Sequence, residues 1–412
     1  MSAAQARIER RPHVPTLPRA GVFAMASAAL IFIFVSSGVP VPLYNMFREA
    51  DGITDGDLAL TTVTYLAFTA LSLLLLGRLS NHLGRKPVIF AALFFAIAGC
   101  AVMTQVHSLP VLLAARMLQG LACGLASTAA GAFVIDSAPR SRLLWLPAVV
   151  TSSAPPFAIP AGALVSGTLS QFAPFPRTLT LCLTAGVLFA VAVLVALCPE
   201  TMPRRPGAFG ALMPRVHVPK GSGRILAAAG CALVATWSFS GFYQAFAPGM
   251  TADYFHSDSA LMISVVFASA VFLAPLGGSI SGRMVPVTAF RIGIVAFLIA
   301  TVAIMVSLHA EAVVPFLVIS LVGGLAQGAA NSSGMRAVLD NVETKDRAGT
   351  LATMYLISYS GAALPGLAAG QASKSMSLPD VGTGYVALAM VAGICALVIT
   401  AFRKKPAEPV ER

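Results

Sequence analysis

Long runs of apolar residues, separated by short polar segments, recur from one end of the chain to the other. Each run has about 18 or more residues, the length that an α-helix needs to cross a hydrocarbon core about 30 Å thick. Breaking these runs at Gly, Pro and charged clusters predicts an all-α membrane protein with twelve transmembrane helices. The expected bounds are 21–46, 58–76, 88–106, 110–135, 143–168, 178–198, 224–249, 260–281, 287–308, 312–338, 348–372 and 381–402.

A polar stretch over 199–223 divides the spans into two groups of six, which predicts two pseudo-symmetric six-helix bundles. This stretch contains five prolines and four Lys or Arg residues, a composition typical of a linker. The first apolar run exceeds the core of a signal peptide, so we interpret it as a retained helix. The predicted organisation is a tail, a bundle, the linker, a second bundle and a second tail, over 1–20, 21–198, 199–223, 224–402 and 403–412.

Composition and charge narrow the class of protein further. The chain is 57% hydrophobic and 10% charged, whereas soluble domains carry about 25% charged residues, so a water-soluble globule is excluded. Of the 27 Lys and Arg residues, 23 fall on the side of the N-terminus, three on the other side, and Arg116 lies inside a span. By the positive-inside rule this predicts an inner-membrane protein with both termini cytoplasmic. The net charge of +11 is therefore a topology signal, and no nucleic-acid partner is expected.

The sequence offers little support for catalysis. All six cysteines lie in apolar segments without paired spacing, so neither a disulfide framework nor a metal site is predicted. The phosphate-binding pattern G-x-x-x-x-G-K-[ST] does not occur, so ATP binding has no support. No Asp, Glu, His or Cys cluster stands at catalytic spacing inside the spans. We therefore expect no enzyme activity and no cofactor, and a membrane-embedded enzyme or a channel is the weaker interpretation.

The most specific motif is a short basic turn between the second and third predicted helices, GRLSNHLGRKP over 77–87. It resembles the signature cytoplasmic loop of the major facilitator superfamily, G-x-x-x-D-R-x-G-R-R, and the two six-helix halves are similar to that family over nearly the whole chain. The resemblance implies a transporter built from repeats that works by alternating access. It also implies a conformational switch loop made of Gly77, Asn81, Gly84, Arg85, Lys86 and Asp136. Asn81 replaces the family's Asp and His82 its first Arg, and we expect Asn81 to weaken or alter the latch.

Arg116 is the second signal. A charge inside a helical span costs roughly 2.5–3.5 kcal/mol on insertion scales, so Arg116 must face protein or a water-filled cavity. The segment RMLQG that it begins resembles the family's R-x-x-x-G element, which is linked to proton-coupled exporters. By helical spacing Arg116 shares one face with three further polar residues, Gln119, Cys123 and Ser127.

An internal repeat relates the two halves. An offset of 204 aligns the segment 120–124, GLACG, with 324–328, GLAQG, and carries Asp136 onto Asp340. The same offset predicts a second polar stripe on the tenth helix, made of Ser320, Gly323, Gln327 and Asn331. Two such stripes would face each other across a central cavity.

Aromatic and amide residues on other helices extend the predicted substrate pathway. In the family, helices one, four, seven and ten line that path, and such groups suit a small organic solute. The alternative for each of these residues is packing or hydrogen bonding between helices. The complete predicted set is Tyr44, Arg116, Gln119, Ser127, Trp237, Gln244, Gln327, Asn331, Tyr355 and Tyr359.

These observations predict a secondary transporter of a small organic solute, with proton-coupled efflux favoured over uptake of an organic acid, sugar or other metabolite. None of the 16 Asp and Glu residues falls in the middle of a predicted span, so the coupling group is not visible. Asp55, Asp57, Asp136 and the substrate itself stay open as proton carriers. A buried Arg without a buried acid favours a neutral or anionic amphipathic solute. The expected partners are that substrate, the bilayer and protons, and the expected state is a monomer.

Overall fold

The computed structural model describes residues 18–139, 146–213, 218, 223–340, 342–343 and 346–401. Twelve long helices contain most of these residues, and the predicted all-α fold is confirmed. Within the described residues, eleven helices are long and apolar enough to cross a membrane, and α11 is a 26-residue helix of more polar composition. The helices are α1 Arg19–Asp51, α2 Asp55–Leu76, α3 Arg85–Thr104, α4 Leu109–Asp136, α5 Leu146–Phe172, α6 Pro176–Ala196, α7 Gly223–Tyr254, α8 Ala260–Ser281, α9 Pro286–His309, α10 Val313–Leu339, α11 Arg347–Ala372 and α12 Leu378–Ala401.

Local sequence explains where several helices start, bend and stop. Thr54 caps α2 through a reciprocal capping box with Asp57, which satisfies backbone donors that a helix start leaves free. The helical path of α1 is divided at Val39, directly before Pro40, because proline removes an internal hydrogen bond. α1 and α7 continue to Asp51 and Tyr254, beyond the predicted ends at 46 and 249.

The helices form two bundles, α1–α6 and α7–α12, which meet along α2 and α11 and along α5 and α8. α11 packs against both α2 and α7, which explains why a more polar helix is tolerated there. We call the side on which α1 begins and the α2–α3 loop lies the basic side, and the other the opposite side. α4 ends at Asp136 on the basic side, and Asp340 directly follows α10 there, so the two acids occupy equivalent helix ends.

The internal repeat is a close helix crossing that occurs once in each bundle. Where α4 crosses α2, a Cβ atom on Gly120 would lie 2.5 Å from the carbonyl oxygen of Tyr65. Where α10 crosses α8, a Cβ atom on Gly324 would lie 2.6 Å from the carbonyl oxygen of Ala270. Neither site has room for a side chain. Small residues allow this approach, which supplies van der Waals contact where the hydrophobic effect does not drive association.

The bundles are in close contact on the opposite side. A Cβ atom on Gly56 of α2 would lie 2.7 Å from the carbonyl oxygen of Gly370 on α11, and Ser264 of α8 donates a 2.8 Å hydrogen bond to the carbonyl of Ala163 on α5. Residues 241–250 of α7 are all buried. Nearer the basic side, Trp237 of α7 and Asn331 of α10 are partly exposed, so the bundles are packed less tightly there.

We predict that Gly120→Val destabilises the fold, because the added side chain forces α2 and α4 apart. Overpacking of this kind costs about 1–3 kcal/mol. Thermal unfolding of the purified protein in detergent measures the effect. The matched control is Gly186→Val on α6, where an added Cβ meets no atom within 4 Å. Equal unfolding midpoints for the two variants would contradict the proposed crossing.

Candidate functional site

The α2–α3 loop folds as a compact turn on the basic side. A short helix, Ser80–Leu83, follows α2, and Arg85 begins α3. The guanidinium of Arg85 is largely buried: its Nε donates to the Oδ2 atom of Asp136 at 3.0 Å, and its Nη1 donates to Ser80 and Asn81. This loop is therefore tied to the end of α4 by one ion pair.

Asn81 accepts a hydrogen bond from Arg85 but, unlike the family's Asp, carries no charge. Its Oδ1 atom accepts from Arg85 at 2.7 Å. The only carboxylate that this guanidinium meets within 4 Å among the described residues belongs to Asp136. The amide at position 81 therefore orients Arg85 without competing with Asp136 for its charge.

Glu200, in the linker directly after α6, is a site residue that the sequence analysis missed. Its two carboxylate oxygens accept the backbone N–H groups of Arg85 at 2.8 Å and of Lys86 at 3.0 Å. A carboxylate at a helix N-terminus satisfies free donors and interacts favourably with the helix dipole. Lys86 in turn donates from Nζ to the carbonyls of Ala196 and Cys198. The start of α3 and the end of α6 are thus joined in both directions.

Two positions of the loop require glycine, each for a different steric reason. Gly84 has φ +98°, in the region that favours glycine, and a Cβ atom there would lie 2.8 Å from the Oε2 atom of Glu200. A Cβ atom on Gly77 would lie 2.3 Å from the carbonyl oxygen of Leu73 in α2 and 3.2 Å from the side chain of Thr128 on α4. Gly84 therefore makes room for the carboxylate, and Gly77 for the turn at the end of α2 and the approach of α4.

Arg116 lies fully buried in the N-terminal bundle. Its Nη1 atom donates to the carbonyl of Ser37 on α1 at 3.0 Å and to Gln119 at 2.8 Å. Its guanidinium lies over the ring of Tyr65, 4.4 Å from the ring centroid, a cation–π contact that is stronger when desolvated. Its Nε and Nη2 atoms have no hydrogen-bond partner among the described residues. The charge is therefore held by protein, with two donors left unused.

The predicted stripe on α4 is only partly continuous. Gln119 donates to the carbonyl of Ser36 at 3.1 Å and is buried. Ser127 is partly exposed and donates to the carbonyl of Cys123 in its own helix. Residues Ala126–Ala130 form a π-helical turn, and such turns are frequent at functional sites. This turn changes the helical register, so the residues of the stripe that follow Leu125 do not keep simple α-helical spacing.

The matching stripe on α10 is bonded to α7. Asn331 accepts from Thr236 at 2.9 Å, and Gln327 exchanges hydrogen bonds with Ser240, the closer at 2.8 Å. One turn towards the opposite side, the hydroxyls of Tyr243 and Ser320 lie 2.5 Å apart. Three polar contacts therefore follow each other along the α7–α10 interface.

The predicted aromatic residues separate into two groups. Trp237 of α7 and Tyr359 of α11 form an edge-to-face pair with centroids 5.0 Å apart, and Tyr355, four residues before Tyr359, is exposed. Tyr44 and Gln244 are instead buried on the opposite side. The structure therefore brings Trp237 and Tyr359 together, pairs the α10 amides with Thr236 and Ser240 of α7, and places Tyr44 and Gln244 in the closed region.

The geometry agrees with what the comparisons with known proteins show. The family model of the Major Facilitator Superfamily matches residues 22–364 and 228–412, and the chain belongs to this family. The family and the apolar helices together show that the chain is a multi-pass membrane protein.

Similar proteins include two named multidrug resistance protein MdtL. The one from Klebsiella pneumoniae is 31% identical over 191 residues, covering 45% of this chain and 47% of that protein. The one from Shewanella oneidensis is 30% identical over 181 residues, covering 42% and 44%. The chain thus spans about half the length of the curated relatives it matches.

Solved structures show the fold. A mutant form of the nucleoside transporter NupG superposes with a TM-score of 0.72 at 11% identity, over 93% of this chain and 100% of that one. A mutant form of a peptide transporter POT, in complex with alafosfalin, gives 0.68 at 15% identity, over 93% and 94%.

We predict that Glu200→Ala loosens the start of α3, because Arg85 and Lys86 lose the acceptor for their N–H groups. The expected loss is about 1 kcal/mol of stability, seen as a lower unfolding midpoint. Hydrogen exchange should also rise at residues 85–90. The control is Asp258→Ala, at an exposed position before α8. If exchange at residues 85–90 stays at the wild-type rate, Glu200 does not cap α3.

Proposed function

We propose that the chain is a secondary transporter that exports small organic compounds across the inner membrane by alternating access, coupled to protons. The observation that carries the proposal is the two-bundle fold of this transporter family, closed between α2 and α11 on one side. A relative named for multidrug resistance supports export. We propose in addition that the chain works as a monomer.

The proposal places the basic side in the cytoplasm, together with both termini. Its support is the split of 23 basic residues against three, since short cytoplasmic loops carry an excess of Lys and Arg. The even number of helices agrees with both ends lying on one side.

We expect an alkaline phosphatase reporter fused after Arg412 to be inactive, because this enzyme requires the periplasm to fold. The same reporter fused after Glu311, in the α9–α10 turn on the opposite side, should be active and serves as the control. Reporter activity is measured in intact cells, and the reverse pattern would overturn the cytoplasmic placement of the basic side.

For the substrate we propose a neutral or anionic amphipathic solute. The Trp237–Tyr359 pair offers an aromatic surface, and Gln327 and Asn331 offer amide groups that are bonded to α7 in the conformation described. In the N-terminal bundle, Arg116 supplies a positive charge, and its Nε and Nη2 atoms have no hydrogen-bond partner among the described residues. The described acidic residues lie at helix ends or in loops, so nothing in mid-span would compensate a cationic substrate.

The α2–α3 loop is proposed to control the conformational change and not the choice of substrate. Its contacts run to α4 and to the linker on the basic side, away from the Trp237–Tyr359 pair. Glu200→Ala should therefore lower the transport rate and leave the affinity for substrate unchanged.

We further propose that Arg116 takes part in transport, either by meeting an anionic or hydrogen-bonding group of the solute or by setting the proton affinity of a partner. In the conformation described, Arg116 and Gln119 are buried against α1. Their participation therefore requires that α1 and α4 shift during the cycle.

Transport by purified protein in proteoliposomes tests both proposals. With an uncharged, an anionic and a cationic amphiphilic dye trapped in turn, the protein should give saturable countertransport of the first two, and a pH gradient should drive their accumulation. Arg116→Ala should fold normally and lose at least about tenfold in rate, and Arg116→Lys should restore little of it, because lysine lacks the planar fork.

The control is a cysteine at position 119, probed with a water-soluble thiol reagent. It should react only while the protein cycles, and substrate should protect it. If Arg116→Ala transports at the wild-type rate, or if the cysteine at position 119 never reacts, Arg116 only holds α1 and α4 together. If no dye moves saturably, the substrate class is wrong.

A further inference from the structure

A cluster of ion pairs on the opposite side joins the two bundles. Arg48 of α1 lies with its Nε atom 3.3 Å from the Oδ1 atom of Asp55 on α2, in its own bundle. Its Nη2 atom lies 3.6 Å from the Oδ2 atom of Asp253 on α7, in the other bundle. One guanidinium thus faces two carboxylates, one from each bundle.

The position of this cluster links it to the closed interface. Asp55 lies beside the α7 backbone, because a Cβ atom on Gly249 would be 3.4 Å from both of its carboxylate oxygens. The next residue, Gly56, meets Gly370 of α11 at the closest approach of α2 and α11. The contact between Arg48 and Asp253 therefore exists only while the bundles are together on this side.

Other groups at this end do not replace the contact. Asp57 is engaged with Thr54 in the capping box of α2, and α12 approaches Gly249 through Leu378. The π-helical turn Met250–Tyr254 carries Asp253 at the end of α7. The Asp253 side chain is about half exposed, and its carboxylate faces Arg48 at the rim of the bundle interface.

We propose that Arg48 is a positioning residue of the transport cycle: it stays paired with Asp55 throughout and gains Asp253 whenever this side closes. The inference rests on the proposed alternating-access function, in which the bundles must separate on this side once in each cycle. Asp55 holds the guanidinium in place while the side is open, so closing costs little side-chain ordering. Asp253 then adds attraction that exists in the closed state only, which is the condition for shifting a two-state equilibrium.

A second Arg–Asp pair gives a matched control. Arg177 of α6 lies 3.2 Å from Asp51 of α1 on the same side, with nearly the same side-chain exposure as Arg48, 22% against 21%. The two helices that this pair joins, α1 and α6, belong to the same bundle. Arg177 also donates to the carbonyl of Val106 and lies over the ring of Phe47, both in the same bundle. Removing Arg177 therefore removes an ion pair and further contacts, but none between the bundles.

Hydrogen exchange measured by mass spectrometry on the full chain in lipid nanodiscs tests the role without requiring a known substrate. In Arg48→Ala, exchange should rise on the opposite side, at the ends of α2, α7 and α11, and fall on the basic side, because opening one side closes the other. A partly exposed pair supports roughly a two- to five-fold change in the open-to-closed ratio. Arg177→Ala should raise exchange only near the α1–α6 contact and the α3–α4 turn that holds Val106.

A variant in which the two charges are swapped shows whether Arg48 acts through its contact with Asp253 or only stabilises α1. Arg48→Asp combined with Asp253→Arg places one guanidinium on α7 opposite two carboxylates of the other bundle, and should restore the wild-type pattern. A rise in exchange on both sides in Arg48→Ala, a pattern equal to that of Arg177→Ala, or no rescue by the exchanged pair would each overturn the proposal. Because this readout is conformational, it stands even if no solute is transported.

Discussion

The absence of water from the bilayer core is the constraint on which this structure depends. Backbone and side-chain polar groups within the spans must find partners in the protein itself. Hydroxyls such as those of Thr69 and Thr184 donate to a carbonyl four residues earlier in their own helix. Helices meet where glycine lets backbones touch, as at Gly120 and Gly324. The one charge far from a helix end among the described residues, Arg116, is shared between a carbonyl, an amide and an aromatic face.

The same constraint places the remaining charges at the two ends of the helices, where they act differently. On the basic side, Arg85, Asp136 and Glu200 connect helices of the N-terminal bundle and the start of the linker. On the opposite side, Arg48 reaches across to Asp253 of the other bundle. In the conformation described, the basic-side loop therefore strengthens one bundle, while Arg48 on the opposite side joins two.

Local patterns in the sequence predicted some features and missed others for physical reasons. The glycine repeat at an offset of 204 was visible because each crossing needs a small residue at every turn of one helix, which is a local pattern. Glu200 and Asp253 were missed because their partners lie more than a hundred residues away along the chain, and no spacing rule connects them. The π-helical turn at Ala126–Ala130 was missed as well, because its residues are ordinary helix formers.

Hydrophobic run length, glycine spacing and the distribution of Lys and Arg by themselves determined the number of helices, the two halves and the position of the basic α2–α3 turn. These features follow from hydrocarbon thickness and helix geometry, which act on each segment separately. Only the tertiary structure decided which polar residues meet. It placed Trp237 beside Tyr359, closed Tyr44 and Gln244 into the packed side, buried Arg116 against α1, and set Arg48 between two bundles. These contacts depend on how twelve helices pack together, and packing is a property of the whole chain.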